Sequence, residues 1–215
     1  MLLLQLTASM FLVMLGWGFG DLSTFFTNPA RTGLAVLVLA GAIAALFLGL
    51  DLHPLRRGSQ PIENQNLQLL ILLLLSVFLL WFLPFADRKN ILTIKQNYWR
   101  YVGLLSCSIG VSVRILALKT LGQQFSAYVT LQPNHRLVRA GIYSHIRHPL
   151  YLSLLLAPTG IALVFASHLA LPILALATVF IYDRIRKEER LLEVHFGAEF
   201  EDYRRSSWQL VPLVF

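Results

Sequence analysis

The sequence predicts an all-α protein: a polytopic membrane helix bundle of about five to six transmembrane helices, with a C-terminal helix lying at the membrane surface. Three observations predict this. The 215 residues are 56% hydrophobic and only 13% charged, with a mean hydropathy of +0.64, far from an ordinary soluble domain. Apolar runs succeed one another at Leu2–Phe19, Leu34–Leu50, Leu67–Ala86, Tyr98–Leu118, Leu150–Ala166 and Leu169–Tyr182, and most approach the roughly 20 residues that cross a bilayer. Residues able to do chemistry gather in two segments, 119–151 and 182–205. Core helices of a soluble protein would need polar faces that these runs lack.

The first run opens MLLLQLTASM, with no basic residue ahead of it. It lacks the charged leader of a cleavable signal peptide and is expected to remain as a helix. The connectors TNPARTG and HPLRRGSQP carry the Pro and Gly that end helices. The fourth run holds the lone cysteine, Cys107, which excludes an internal disulfide, and Arg114, expected to snorkel or to pair inside the bundle. Residues 119–149 are too polar, basic and aromatic to span. The fifth and sixth runs then form a hairpin turning near Ser167–His168, so its two ends, near Leu150 and Tyr182, return to the same side. On this reading residues 1–118 are N-terminal transmembrane helices and 119–215 form a second region.

A formal net charge of +7 would suggest a nucleic-acid partner in a soluble protein. Among apolar spans it reflects topology and anionic lipid instead, and no nucleic-acid partner is expected. With six spans and both termini on one side, twelve Lys and Arg fall on that side and five (Arg31, Arg88, Lys89, Lys95, Arg100) on the other. The excess places the termini, and segments 119–151 and 182–205, at the cytoplasmic face.

Two motifs carry most of the chemistry. In YSHIRHPLY, Pro149 suits the first turn of the hairpin's opening helix, because it fixes φ and lacks a donor that would go unused there. The unpaired amides of that helix start favour an anion, beside Arg147, His148 and Tyr151. Read more plainly, Arg147 and the histidines are headgroup anchors, with Tyr143 and Tyr151 in an aromatic belt. In YDRIRKEERLLEVHFGAEFEDYRR, helical spacing puts Ile181, Ile185, Leu192 and Phe196 on one stripe and Arg186, Lys187, Arg190 and Glu193 opposite. Arg184, Glu188 and His195 fall on one edge of the stripe and Glu189 on the other. Both glutamates are thus poorly placed for plain solvation and call for partners, although an amphipathic surface helix with ordinary ion pairs also fits. Gly197 is positioned to end or kink this helix. Between the motifs, LGQQFS and HRLVRAGIY supply Gly141 for a tight turn and His135, Arg136 and Arg139 as donors. His53 and His168 read as span-end residues. The six histidines show no ligand spacing, so no metal is expected.

Taken in order, LVRAGIYSHIRHPLY, an apolar hairpin, RIRKEERLLEVHFGAEFEDYRR and a final LVP strongly resemble the isoprenylcysteine carboxyl methyltransferase family, integral membrane enzymes that use S-adenosylmethionine. The likeness covers about residues 120–213, while the preceding spans match only in being apolar. The family pattern is met at Gly141, Tyr143, Arg147, His148, Pro149, Tyr151, Glu188, Glu189, Phe196, Gly197, Phe200 and Tyr203. Ser153 departs from it, standing where a glycine often follows the tyrosine.

The resemblance implies a membrane-embedded methyltransferase that takes S-adenosylmethionine as cofactor and acts on a lipophilic acceptor, most readily a carboxylate such as a prenylcysteine. It implies cofactor contacts from His135, Tyr143, His148, Pro149, Tyr151, Glu188 and Glu189, and catalytic roles for Arg147 and Arg184 at the transfer centre. Partners would be the lipophilic or prenylated substrate and membrane lipid; the sequence carries no signal of oligomeric state. Other readings of the same residues stand beside it. Sterol reductases using NADPH have a similar R-H-P-x-Y element and acidic motif, related methyltransferases act on amines, phospholipids or thiols, and a membrane protein without enzymatic activity could use these charges as anchors.

Overall fold

A computed structural model describes residues 2–48, 65–126, 128 and 136–211, and among them the chain is helical without a strand. Eight α-helices follow in order: α1 Leu2–Trp17, α2 Leu22–Phe26, α3 Pro29–Phe47, α4 Gln65–Arg88, α5 Tyr98–Leu121, α6 Pro149–Val164, α7 Ala170–Phe196 and α8 Ala198–Ser206. Every apolar run of the sequence becomes a helix. His53, Arg56, Arg57 and His135 lie outside the described residues.

Among the described residues three helices are long and apolar enough to cross a membrane, α3, α4 and α5. A fourth span results if Leu6–Trp17 and Phe19–Phe26, bent by 82°, count as one broken element. The remaining two runs fall short of the expected five to six for a physical reason. Helix α6 has 16 residues, about 24 Å at 1.5 Å per residue against a hydrocarbon core of about 30 Å. Helix α7 has 27, but its apolar part stops at Tyr182 and the rest is charged.

Local signals explain several boundaries. Asn28 caps α3, its Oδ1 accepting from the amides of Ala30 at 3.0 Å and Arg31 at 3.4 Å, with Pro29 in the first turn. Helix α7 ends where Gly197 adopts φ 51°, a left-handed conformation that side chains resist, and α8 sets off in a new direction.

Helices α5 and α6 pack most intimately, and small residues make this possible. A Cβ on Gly103 would stand 2.6 Å from the Gly160 carbonyl oxygen, and one on Gly160 would stand 2.6 Å from the Cys107 amide nitrogen. Backbones in such contact gain dispersion energy that bulky side chains would forbid, the usual route to helix association in lipid. Ser153 in α6 is buried and donates to the Leu150 carbonyl at 2.6 Å. The hydroxyl is satisfied within its own helix, so the serine is accommodated.

The two ends of the bundle differ. At the far end, the α6–α7 turn is pinned to the α4–α5 connector: the Ile94 amide donates to Ala166 at 2.6 Å and the His168 amide to Leu92 at 3.1 Å. Asp87 of α4 is buried there between two arginines, with Arg31 Nη1 at 3.1 Å and Arg100 Nη2 at 2.6 Å. Arg31 also donates to the carbonyls of Phe25 and Thr24, both at 3.1 Å, and lies over the Trp17 ring, while Arg100 donates to Val164 at 2.7 Å. Arg31 and Arg100, counted in the charge tally as lying outside the spans, are both spent inside the protein.

Candidate functional site

At the opposite end the segment before α6, the start of α6, the charged half of α7 and α8 converge on a cavity of about 230 Å³. The two ends of the hairpin therefore meet, as the sequence implied. Its lining includes Tyr143, Arg147, His148, Tyr151, Arg184 and Glu188 from the residues singled out above. The rest of the wall is largely apolar, with Leu69 and Leu72 of α4, Leu121 of α5, Leu154 of α6 and Leu191 of α7.

Pro149 occupies the first position of α6 and is fully buried, placing the unused amides of the helix start beside His148. Tyr151 lines the cavity with Glu188 and Arg184, its hydroxyl near enough to interact with both. Arg184 is buried, at 4% exposure. Glu188 and Arg184 are one helical turn apart, so this trio fixes an acidic and a basic group side by side on the wall. Tyr143 is raised well above the ordinary phenol range, first by burial, then by the charge of Glu188 and by Tyr203. It stays a neutral hydrogen-bonding group at any physiological pH.

The two glutamates part company. Glu189 lies outside the lining, and its Oε1 accepts from Arg147 Nε at 3.2 Å and from His148 Nε2 at 3.1 Å. Burial acts to raise its pKa, but the hydrogen bond and charge of His148, a hydrogen bond from Gln209 and the charge of Arg147 together pull it down to about 2. This carboxylate is engaged by the protein itself. Arg147 extends the same network, with Nη1 donating to the Arg204 carbonyl at 3.0 Å and to the Ser207 carbonyl. Backbone bonds complete the clasp: the Arg147 amide donates to Trp208 at 2.8 Å, the His148 amide to Gln209 at 3.1 Å and the Trp208 amide to His145 at 2.8 Å. Tyr203 of α8 donates its hydroxyl to the Tyr143 carbonyl at 2.6 Å. Residues 198–209 thereby form a wall that Arg147, His148 and Glu189 hold against the start of α6.

Arg136, expected as a donor, lines the cavity together with Gln124, Phe125, Ser126 and Tyr128 from the segment after α5. Sequence reasoning missed Arg114, assigned to snorkelling or pairing, which lines it from α5. The polar interruption of an apolar run was the signal available for Arg114. No comparable signal marked the α4 leucines.

Residues 102–194 match the model of the isoprenylcysteine carboxyl methyltransferase family, from α5 through most of α7, so the likeness begins earlier than the motifs alone indicated. The chain is 34% identical over 116 residues to a protein-S-isoprenylcysteine O-methyltransferase of Saccharomyces cerevisiae, covering 53% of this chain and 48% of that protein. It is 30% identical over 125 residues to one of Tribolium castaneum (56% and 44%). A probable protein-S-isoprenylcysteine O-methyltransferase of Oryza sativa subsp. indica is 31% identical over 124 residues (55% and 65%). The matched stretch thus spans less than two thirds of each of these relatives.

Proposed function

We propose that this protein is a membrane-embedded methyltransferase that uses S-adenosylmethionine to methylate a lipophilic carboxylate of the prenylcysteine class. The observation that carries the reading is the cavity in which Glu188, Tyr151 and Arg184 are joined at the meeting point of the two hairpin ends, inside the stretch that matches the family.

The lining fits the donor by its chemistry. Glu188 accepts from ribose hydroxyls or an ammonium, His148 and the amides after Pro149 suit an α-carboxylate, and Tyr143 and Tyr151 offer faces for a base. S-adenosylmethionine, when bound, supplies an electrophilic methyl group on a sulfonium cation. The acceptor carboxylate is ionised at neutral pH and needs no general base from the protein. What the protein contributes is alignment: Arg184 and Arg114 present guanidinium groups to a carboxylate. Leu69, Leu72, Leu154 and Leu191 take an apolar chain and exclude water, which strengthens the charge contacts inside. Arg147 acts chiefly as the brace of the 198–209 wall, its Nε and Nη1 being engaged with Glu189, Arg204 and Ser207.

Residues 119–215 would hold the donor and the preceding helices shape the acceptor's path. The site end faces the cytoplasm in this reading. Removing the two buried arginines from each side of the charge tally leaves ten Lys and Arg against three, a stronger bias than before.

The test is transfer itself. Full-length protein in detergent micelles, given methyl-tritiated donor and an S-farnesylated cysteine derivative, should yield lipid-soluble label that alkali releases as methanol, the mark of a methyl ester. Label stable to alkali would indicate an amine or thiol acceptor, and oxidation of NADPH without methyl transfer would overturn the reading in favour of a reductase.

A further inference from the structure

Gln124 stands in the cavity wall and takes no part in the chemistry proposed above. It closes the short 3-10 turn Gly122–Gln124 that follows α5, and it lines the cavity next to Phe125. Its side-chain carbonyl oxygen is shut off from solvent and accepts no hydrogen bond among the described residues. A buried carbonyl in that state has lost its water and gained nothing in return. Native proteins keep few such groups, and one set in a cavity wall points to a donor that arrives with a ligand.

The proposed reaction brings two ligands, and their chemistry narrows the choice. The acceptor offers a carboxylate, which has only acceptor oxygens, on an apolar chain; its one donor is an N–H beside the carboxylate, where arginine and not a carbonyl is wanted. The methyl donor brings ribose hydroxyls and an ammonium, which a carboxylate such as Glu188 suits better than an amide does. What remains is the exocyclic amine of the purine, an N–H donor at the edge of a flat ring. A ring of that kind finds aromatic faces in the same cavity wall as Gln124, from Phe125 and Tyr128 as well as from Tyr143 and Tyr151.

We propose that Gln124 reads the purine base of the methyl donor, accepting a hydrogen bond from its exocyclic amine and so selecting an adenine nucleoside over purines without a donor at that position. This rests on the methyl-donor reading, and the experiment separates the two. Full-length protein in detergent would be titrated with S-adenosylhomocysteine and with its 6-desamino analogue, in which hydrogen replaces the amine, by equilibrium binding with no acceptor present. The wild type should prefer the amine-bearing ligand about tenfold, the effect of one buried hydrogen bond that goes unmade. Gln124→Leu should bring the two ligands within about twofold of each other, and Gln124→Glu, which retains an acceptor oxygen, should keep the preference.

Failure of S-adenosylhomocysteine to bind the wild type would overturn the methyl-donor reading and this proposal with it. Tight binding of both ligands with no preference, or a preference that survives in Gln124→Leu, would overturn this proposal alone. So would a Gln124→Leu protein whose only change is a raised KM for the acceptor, because the carbonyl would then meet the acceptor's N–H. Absence of a preference in the wild type overturns the proposal whether or not a variant folds, and Gln124→Ala serves as a second truncation if Gln124→Leu folds poorly.

Discussion

The protein keeps a knot of buried charge at each end, and the two are built to opposite purposes. At the far end Asp87 sits between Arg31 and Arg100, and backbone carbonyls of Phe25, Thr24 and Val164 take further guanidinium donors. At the site end Glu188, Arg184 and Tyr151 are likewise in contact, but they line a cavity of about 230 Å³. The first cluster ties α3, α4, α5 and the end of α6 together. The second presents its charges to whatever enters. Buried charge alone does not mark a site; buried charge beside space does. Within the site end the contrast recurs at neighbouring residues, since Glu189 is spent on Arg147 and His148 while Glu188 faces the cavity.

Breaking the far knot should have the largest effect. Asp87→Asn leaves two guanidinium groups buried without their anion, a loss of about 3–5 kcal/mol. Thermal unfolding in detergent should show it as a large fall in Tm, while protein that remains folded binds the methyl donor normally. A wild-type melt would mean that the cluster is not structural.

Next comes Glu188→Gln, which should weaken donor binding by about 1.5–3 kcal/mol, the worth of a hydrogen bond to a charged group, with Tm nearly unchanged. Glu189→Gln should reverse that pattern. Amide exchange across 198–209 should rise sharply as the clasp loosens, with the loss in donor affinity smaller than for Glu188→Gln. Equal effects from the two variants would erase the distinction drawn between them.

The clasp also predicts a pH dependence. Glu189 titrates near 2 in the fold against 4.5 when unperturbed. A depressed carboxylate contributes stability that is complete above the unfolded value and is lost as pH falls toward the folded one. Between about pH 4.5 and 2 the 198–209 segment should therefore come loose, by on the order of 2–3 kcal/mol. The fluorescence of Trp208 should follow this. Glu189→Gln should abolish the transition. The smallest change belongs to Lys187→Ala, which removes an exposed pair with Asp183 and should cost less than about 1 kcal/mol in Tm measurements.

Much of the architecture was legible in the sequence because hydropathy is a local property. The run Tyr98–Leu118 became helix Tyr98–Leu121, and the turn at Ser167–His168 and the stop at Gly197 fell where Gly and polar residues placed them. What escaped was long-range pairing. Arg31 and Asp87 are 56 positions apart, and no periodicity links them. The span count escaped because Leu150–Ala166, already short as an apolar run, was counted as a span, and because apolar length does not reveal that α1 gives way to an 82° bend. The helical wheel put Glu188 and Glu189 on opposite edges of one apolar stripe, and only the packing of α6 and α8 decides which edge meets the cavity. The backbone pairing of Trp208 and Gln209 with residues 145–148 rests on contacts that carry no side-chain signature.

The central claim is that the two hairpin ends form one binding site for the methyl donor, and equilibrium binding tests it most directly. Radiolabelled S-adenosylmethionine should bind the purified full-length protein saturably, resist displacement by NADPH, and lose at least tenfold in affinity in Glu188→Gln. No saturable binding, displacement by NADPH, or an unaltered Glu188→Gln protein would contradict the account.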